Sequence, residues 1–487
     1  MAYKHGVYIS EVPTSILPPV TATAGLPVFV GRAPVNLASD PTAYVNKPIL
    51  AYTYAEAVAA LGYSDDFENY ELCEAMSAMF SLFSVAPVVL INVLDPATHK
   101  TSTANQTVTI TDDEVLLAPL GVLLNSLVVK KTEAGKPLVK NTDYTAAFND
   151  DGKVLITILE GGAITTETSL VVSYDKLNPA AVDAEDIIGG VNVSTGKLTG
   201  MELINQIFPL FRLVPGQLVS PGWSHDPVVA AVMKSKVQNI NGLFKAMAVC
   251  DIDSTAVDGA DLYTEAPAWK NDNNYTDKLQ IVCWPQVKLG NVKYRLSTQL
   301  AALMCRVDAT NDDIPYVSPS NNNLQANAAV TAAGDVVSLD PQQAAYLSGQ
   351  GIVTALNFIG GWKAWGNRTG IYPGGSDPKD SWIPVRRMFN WIGNSIILTY
   401  WQKVDNPMNR RLTQTVVDSM NIWLNGLTAR ETLLGGRVEF LASENPVTDL
   451  MNGIVRFHVY MTPPTPAEDM EFVLEFDTTY YSNLFSE

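Results

Sequence analysis

The sequence predicts a multidomain α/β protein, with an all-β unit set into it and a strand-forming segment at each end. Three observations lead there. Continuous apolar runs such as Val28-Phe29-Val30 and Val88-Val89-Leu90-Ile91 read as strands buried on both faces, with two helices between them. Between residues 98 and 178 helical spacing disappears, and short strands alternate with Gly, Asn, Asp and Lys. Near one end Val7 and Ile9 alternate with Tyr8 and Ser10, and near the other Phe472, Leu474 and Phe476 alternate with acidic residues.

Length and composition narrow the class. At 487 residues the chain exceeds one ordinary core, so two to four domains are expected. Its 47% apolar content is enough for several packed cores. Fifty acidic against 32 basic side chains leave a net charge of −18, which repels phosphate backbones and anionic lipid. Neither nucleic-acid binding nor membrane insertion is expected. Apolar runs such as Val85 to Val93 are far shorter than the roughly 20 residues of a bilayer span. The start, Met1-Ala2-Tyr3-Lys4-His5-Gly6, shows no signal-peptide core. Cys73, Cys250, Cys283 and Cys305 lie far apart and read as reduced core thiols.

The elements follow in order. After the first segment comes a loop marked by Pro13, Pro18 and Pro19. Thr53 and Glu56 form a capping box for a helix that Gly62 can end. A second helix carries Leu72, Met76, Met79, Phe80 and Phe83 on one face. Strand, helices and strand imply a crossover between neighbouring parallel strands. Within 98–178, strands are expected at Thr107–Ile110, Leu123–Lys130, Val154–Leu159 and Leu170–Tyr174, as a small sandwich.

The α/β order resumes near Gly200 with a helix from Met201 to Phe211. Asp226-Pro227 caps the next helix, with Val229, Val232, Met233, Val237 and Ile240 as its apolar stripe. Strands at Lys245–Cys250 and Leu279–Trp284, a helix through Leu296 to Met304, and a helix from Asp340-Pro341 to Gly349 complete this part. Beyond it, Asn406-Pro407 is expected to start a helix with the stripe Leu412, Val416, Met420, Trp423 and Leu427. Thr428 with Glu431 reads as the capping box of another, stopped by Gly435-Gly436. A late strand carries Val455, Phe457, Val459 and Met461 on one face. Pro463-Pro464-Thr465-Pro466 separates it from a last strand with Phe472, Leu474 and Phe476.

No motif carries chemistry. Gly190-Val191-Asn192-Val193-Ser194-Thr195-Gly196-Lys197-Leu198 has one residue too many for a phosphate loop, and Leu198 replaces the magnesium-binding hydroxyl, so it reads as a turn. Tyr346-Leu347-Ser348-Gly349 lacks the leading glycine of a nucleophile elbow. His5, His99, His225 and His458 show no zinc spacing. Asp65-Asp66, Asp150-Asp151 and Asp312-Asp313 sit in turn-like contexts without calcium-loop grammar. No cofactor or metal is expected. One charge feature opposes the acidic background. From Pro384 to Arg437 the basic residues Arg386, Arg387, Lys403, Arg410, Arg411, Arg430 and Arg437 outnumber Asp405, Asp418 and Glu431. A basic face meeting an acidic protein partner is the functional reading, and an ordinary helix surface the bland one.

Several segments together resemble contractile tail sheath proteins of bacteriophages. Lys4-His5-Gly6-Val7-Tyr8-Ile9-Ser10-Glu11-Val12 is similar to the family's opening arm, and Val28-Phe29-Val30-Gly31 to its first core strand. Leu213-Val214-Pro215-Gly216, the Trp365-Gly366-Asn367-Arg368-Thr369 run and Tyr460-Met461-Thr462-Pro463-Pro464 match in the same order. The resemblance implies a structural subunit, not an enzyme, that stacks in hexameric rings around an inner tail tube and contracts to drive that tube through a cell envelope. It implies baseplate and tail terminator proteins as further partners. It places the protein in a virion tail or related contractile particle assembled in bacterial host cytoplasm.

The resemblance also implies that the arm strands, with Val7, Ile9, Phe472, Leu474 and Phe476, add to a neighbour's sheet, where Val455, Phe457 and Val459 receive them. Arg410 and Arg411 become candidates to face the tube. The chain then divides into an N-terminal arm (1–25), a first core segment (26–97), a β insertion (98–178), a second core segment (179–350), a C-terminal α/β domain (351–465) and a C-terminal arm (466–487). An α/β hydrolase with a β insertion and a monomeric surface-binding protein are the alternatives. Neither would form tubes.

Overall fold

The structure, a computed structural model, describes residues 20–484. Val7 and Ile9 lie outside the described residues. The apolar runs form the centre of an eight-stranded sheet in the order Pro48–Ala51, Val88–Asn92, Pro27–Gly31, Gln217–Val219, Met247–Asp251, Gln280–Cys283, Ile352–Asn357, Trp362–Trp365. The six inner strands run parallel and the two outer ones antiparallel to their neighbours. Val28, Phe29, Val30 and Val88 to Ile91 are fully buried because helices cover both faces of the sheet.

Helix boundaries follow local chemistry. Thr53 accepts from the Glu56 amide at 3.2 Å, and Glu56 reaches back to the Tyr52 amide at 2.8 Å. Gly62 ends that helix at φ +74°, where a Cβ would lie 2.3 Å from the Pro34 carbonyl oxygen. Asp226 accepts from the amides of Val228 and Val229, with Pro227 at the first helical position. In the helix Pro227–Gln238 the residues Val229, Met233 and Val237 are buried.

Residues 100–177 carry two three-stranded sheets, Lys100–Thr109 with Ser169–Leu177 and Val128–Lys130, and Glu114–Leu116 with Val154–Ile158 and Tyr144–Phe148. Val115, Val129, Ile156, Leu170 and Val172 lie between them in a hydrophobic cluster separate from the main core. Lys100 pairs with Leu177, and the Asn178 amide donates to the His99 carbonyl at 2.9 Å, so the chain enters and leaves side by side. The strands Glu114–Leu116 and Tyr144–Phe148 were not expected. Their apolar positions are sparse because each packs only one face.

Two helix expectations are corrected. The helix expected from Asn406-Pro407 begins at Arg410, capped by Asn409, whose side chain accepts from the Leu412 amide at 2.9 Å. It runs unbroken to Ala429. Thr428 therefore lies inside it and donates its hydroxyl to the Leu424 carbonyl at 2.9 Å instead of capping a new helix. Gly435-Gly436 opens the strand Gly435–Glu439 rather than stopping a helix. The Gly190-to-Leu198 run is a hairpin turn between Gly190–Val191 and Leu198–Thr199.

A polar crevice of about 290 Å³ lies beyond the carboxyl ends of the parallel strands, where the winding direction reverses between Pro27–Gly31 and Gln217–Val219. In open α/β sheets this is the usual ligand position. Here the charged groups satisfy one another. Arg32 Nε donates to Glu71 at 3.0 Å, and Arg295 Nη1 to Glu74 at 2.7 Å. Asp251 accepts from the Ser297 amide at 2.9 Å. Burial pushes the Glu74 carboxyl up to about 7, and the same carboxylate in turn holds the Arg295 guanidinium charged. Among the described residues, no group of three or more His, Cys, Asp or Glu could hold a metal ion. No described helix is long and apolar enough to cross a membrane.

Candidate intersubunit interface

The C-terminal region is built on two long helices. Ile383–Tyr400 enters the main core with Met388, Trp391 and Ile392, and Arg410–Ala429 packs on it. Trp391 and Trp423 approach to 5.8 Å between ring centroids, and the Tyr400 hydroxyl lies 2.7 Å from Ser419 Oγ. Val20 and Ala22 run along the first helix, with the Val20 amide donating to Thr399 at 3.0 Å. The Ala22 amide donates to Ser395 at 2.9 Å, and Trp391 Nε1 donates to the Ala22 carbonyl at 2.8 Å. The chain after the N-terminal segment is thus fixed to the C-terminal region.

Against the second helix lies a two-stranded antiparallel sheet, Gly435–Glu439 with His458–Thr462. Its two outer edges differ. Asn421 closes the first strand's outer edge by accepting from the Val438 amide at 2.8 Å and donating to the Val438 carbonyl at 3.2 Å. The outer edge of His458–Thr462 has no ladder partner among the described residues. Beside this sheet is a groove of about 740 Å³, lined by Ile396, Tyr400, Met408, Val416 and Leu450 among others. Val455, Phe457 and Val459 all line it. The regular strand starts only at His458, so Val455 and Phe457 reach the groove from the segment before the ladder. Tyr400 gave no signal in the sequence, because only the packing of a distant helix brings it to that strand.

Past Thr462 the chain makes no ladder up to Asp477. The last strand expected around Phe472, Leu474 and Phe476 is therefore not formed within the subunit. Those side chains are 82%, 95% and 75% exposed, and Val473 is 83% exposed. Four large apolar side chains within five residues thus stand in water, the kind of exposed patch that marks interaction sites.

The basic cluster divides. Arg386 and Arg387 are buried and serve the interior: Arg386 Nη1 donates to Asp380 at 2.9 Å, and Arg387 Nη1 to Asp308 at 3.0 Å. They do not contribute to a basic face. Arg410 and Arg411 are exposed at the N-terminus of the 20-residue helix, with Trp401, Val404 and Met408 exposed nearby. A helix N-terminus disfavours cations, so these two gain nothing from their own helix.

The Trp365-to-Thr369 run is structural. Gly366, at φ +137°, would place a Cβ 3.0 Å from the Ile352 carbonyl oxygen, and Thr369 donates to the Asp380 carbonyl at 2.6 Å. Arg368 lies over Trp382 at 3.3 Å and Tyr372 at 4.3 Å, and its Nη2 donates to Glu468 at 2.6 Å.

The C-terminal region thus carries an open sheet edge, a groove and an exposed apolar segment among the described residues. Comparison with known proteins gives the class of protein. The chain is 27% identical over 495 aligned positions to the tail sheath protein of Burkholderia phage BcepMu, spanning 99% of this chain and 98% of that protein. It is 22% identical over 338 positions to a putative prophage major tail sheath protein of Pseudomonas aeruginosa strain UCBPP-PA14, spanning 69% of this chain and 84% of that one. The fold matches the sheath of the extracellular contractile injection system PVC in its contracted state (TM-score 0.57, 15% identity, 99% of both chains). It also matches the contracted helical sheath of the anti-feeding prophage (TM-score 0.57, 14% identity, 98% of this chain and all of that one). No protein-family model matches. The chain is a homologue of contractile tail sheath proteins and has the contractile-sheath fold.

Proposed function

We propose that the protein is the structural subunit of a contractile tail sheath. In this reading it stacks as hexameric rings around an inner tube, with baseplate and terminator proteins at the ends, in a virion tail or related particle. Its work is mechanical and not enzymatic. Each terminal arm adds a strand to the C-terminal sheet of another copy, and main-chain hydrogen bonds of that kind persist while whole domains rotate. The observation that supports this best is the pairing of complementary features: the exposed Phe472-to-Phe476 segment, and the 740 Å³ groove beside the open His458–Thr462 edge. Electron microscopy of the purified full-length chain, without nucleotide or added metal, should show tubes or stacked rings. A species that stays monomeric at high concentration counts against the reading.

Arg410 and Arg411 are the proposed tube contact, because they are exposed cations that their own helix does not stabilise. Each such pair is weak and screened by salt, but repetition along a sheath sums it. Reversing both to Glu should reduce assembly on the tube severalfold, and raising ionic strength should do the same to the unmodified protein. Equal tube-dependent assembly by the double variant moves the contact elsewhere.

The unit at 98–178 is proposed to be peripheral to assembly. It has its own core, and its ends meet at the His99–Asn178 hydrogen bond. Replacing it with a short Gly-Ser linker should leave the circular dichroism of the remaining fold and tube formation intact. A collapsed core after that replacement refutes the boundary.

A further inference from the structure

We infer that Arg368 anchors the root of the C-terminal arm and, with the proline run before it, prevents the arm from docking in its own subunit's groove. This rests on the strand-exchange reading above and adds to it a reason why the exchange goes to another copy.

The arm faces an intramolecular competitor. It leaves directly from His458–Thr462, the strand whose outer edge is open and whose Val459 lines the apolar groove. Ten residues from Thr462 to Phe472 can span up to about 35 Å, ample to return to that groove. A segment tethered this closely sees its own site at an effective concentration of about a millimolar, far above that of a separate copy. Without a device against it, a self-capped monomer would be the favoured state.

Two features oppose self-docking. Pro463-Pro464-Thr465-Pro466 occupies the place of a hairpin turn. Favoured two-residue hairpin turns need positive φ, which proline cannot adopt. The second feature is the anchor. Arg368 has a side chain only 14% exposed, held between the rings of Trp382 and Tyr372, and its Nη2 grips Glu468 at 2.6 Å. Pro466, Ala467, Glu468 and Met470 thereby line a cleft against Ser318, Ser320 and Asn321 of the core. The clamp sits four residues before Phe472, so the free tether starts at the core surface and the apolar tip stays in water. Arg suits this role because its planar guanidinium stacks on the rings while its fork meets the carboxylate.

The test is hydrogen exchange on the full-length chain, diluted to monomer, followed by assembly kinetics at higher concentration. Glu468→Ala removes the grip from the exposed arm side without touching the core, and Arg368→Lys keeps the charge but loses the stacked fork. A nitroxide label at Asp469→Cys, read on the same diluted chains, should tumble severalfold faster in both variants than in the otherwise natural sequence, while amides of 472–476 stay unprotected in the natural monomer. A third chain combines Glu468→Ala with Pro464→Asn, Thr465→Gly and Pro466→Thr, which install a permitted turn. It should gain protection at 472–476 as a monomer and polymerise with a lag at least severalfold longer. Equal mobility of the 469 label in natural and Glu468→Ala chains overturns the anchor. A third chain that assembles normally with 472–476 still unprotected overturns the self-docking block. A natural chain that shows the slow, anchored label yet never polymerises refutes the sheath reading instead, and leaves the anchor standing.

Discussion

Replacing Phe472, Leu474 and Phe476 together with serine is expected to give a folded monomer that no longer forms tubes. The three side chains are 82%, 95% and 75% exposed in the subunit, so their loss removes little packing from it beyond the Phe476–Tyr481 ring contact. Their energetic role lies in the assembled state. Burying a Phe or Leu side chain contributes about 1.5–3 kcal/mol, so three contribute on the order of 6 kcal/mol per arm, a factor of more than ~10⁴ in affinity. Association entropy already consumes much of the gross binding energy, which leaves no surplus to absorb that loss. Circular dichroism and the thermal transition should match those of the natural protein, while sedimentation and electron microscopy report only small species. If the triple variant builds normal tubes, the C-terminal segment does not carry the exchange.

Elements whose signal is local were legible in the sequence. Continuous apolar runs predict the buried strands of the main sheet, and Thr53 with Glu56, Asp226-Pro227 and Asp340-Pro341 mark helix starts because a cap is made within three residues of itself. Errors arose where one residue type serves two local bonds. Thr428 caps or back-bonds depending on whether a helix already reaches it, and Asn409, not Asn406, takes the cap of Arg410–Ala429. The groove was half legible. Val455, Phe457 and Val459 fall on one face by alternation alone, and the structure places all three on the groove. Much of the rest of the groove comes from the helices Ile383–Tyr400 and Arg410–Ala429, and Glu468 meets Arg368 across 100 residues of sequence, a separation that no periodicity encodes. The same holds for Arg386 and Arg387, which composition counted as surface charge and the fold buries.

Arg387 accordingly supports the second large expected effect. It projects from Ile383–Tyr400 onto Asp308 of the Leu296–Ala309 helix, and the two residues are only 3% and 1% exposed. The pair joins the C-terminal region to the core beside Gly25, where the chain emerges from the N-terminal segment: a Cβ on Gly25 would meet Asp308 Oδ2 at 2.9 Å. Arg387→Met should destabilise the subunit by about 3–5 kcal/mol, because Asp308 is left charged and unpaired in the interior. Burial already raises the Asp308 carboxyl above its ordinary value, with the Arg387 charge opposing that rise. Without the guanidinium the folded-state value climbs further above the unfolded one. The protonated carboxyl then favours folding, and this contribution is fully present below the unfolded value and lost as pH rises through the folded one. The Arg387→Met protein should therefore be more stable to urea near pH 5 than near pH 7. Adding Asp308→Leu should recover most of the loss and flatten that slope to the part left by neighbouring Asp313, whose carboxyl burial raises to about 6, since a matched apolar pair removes the desolvation cost along with the attraction. A single variant that loses less than about 1 kcal/mol at pH 7, the range of a surface ion pair, shows that water reaches Asp308 and that the two helices are joined by packing alone.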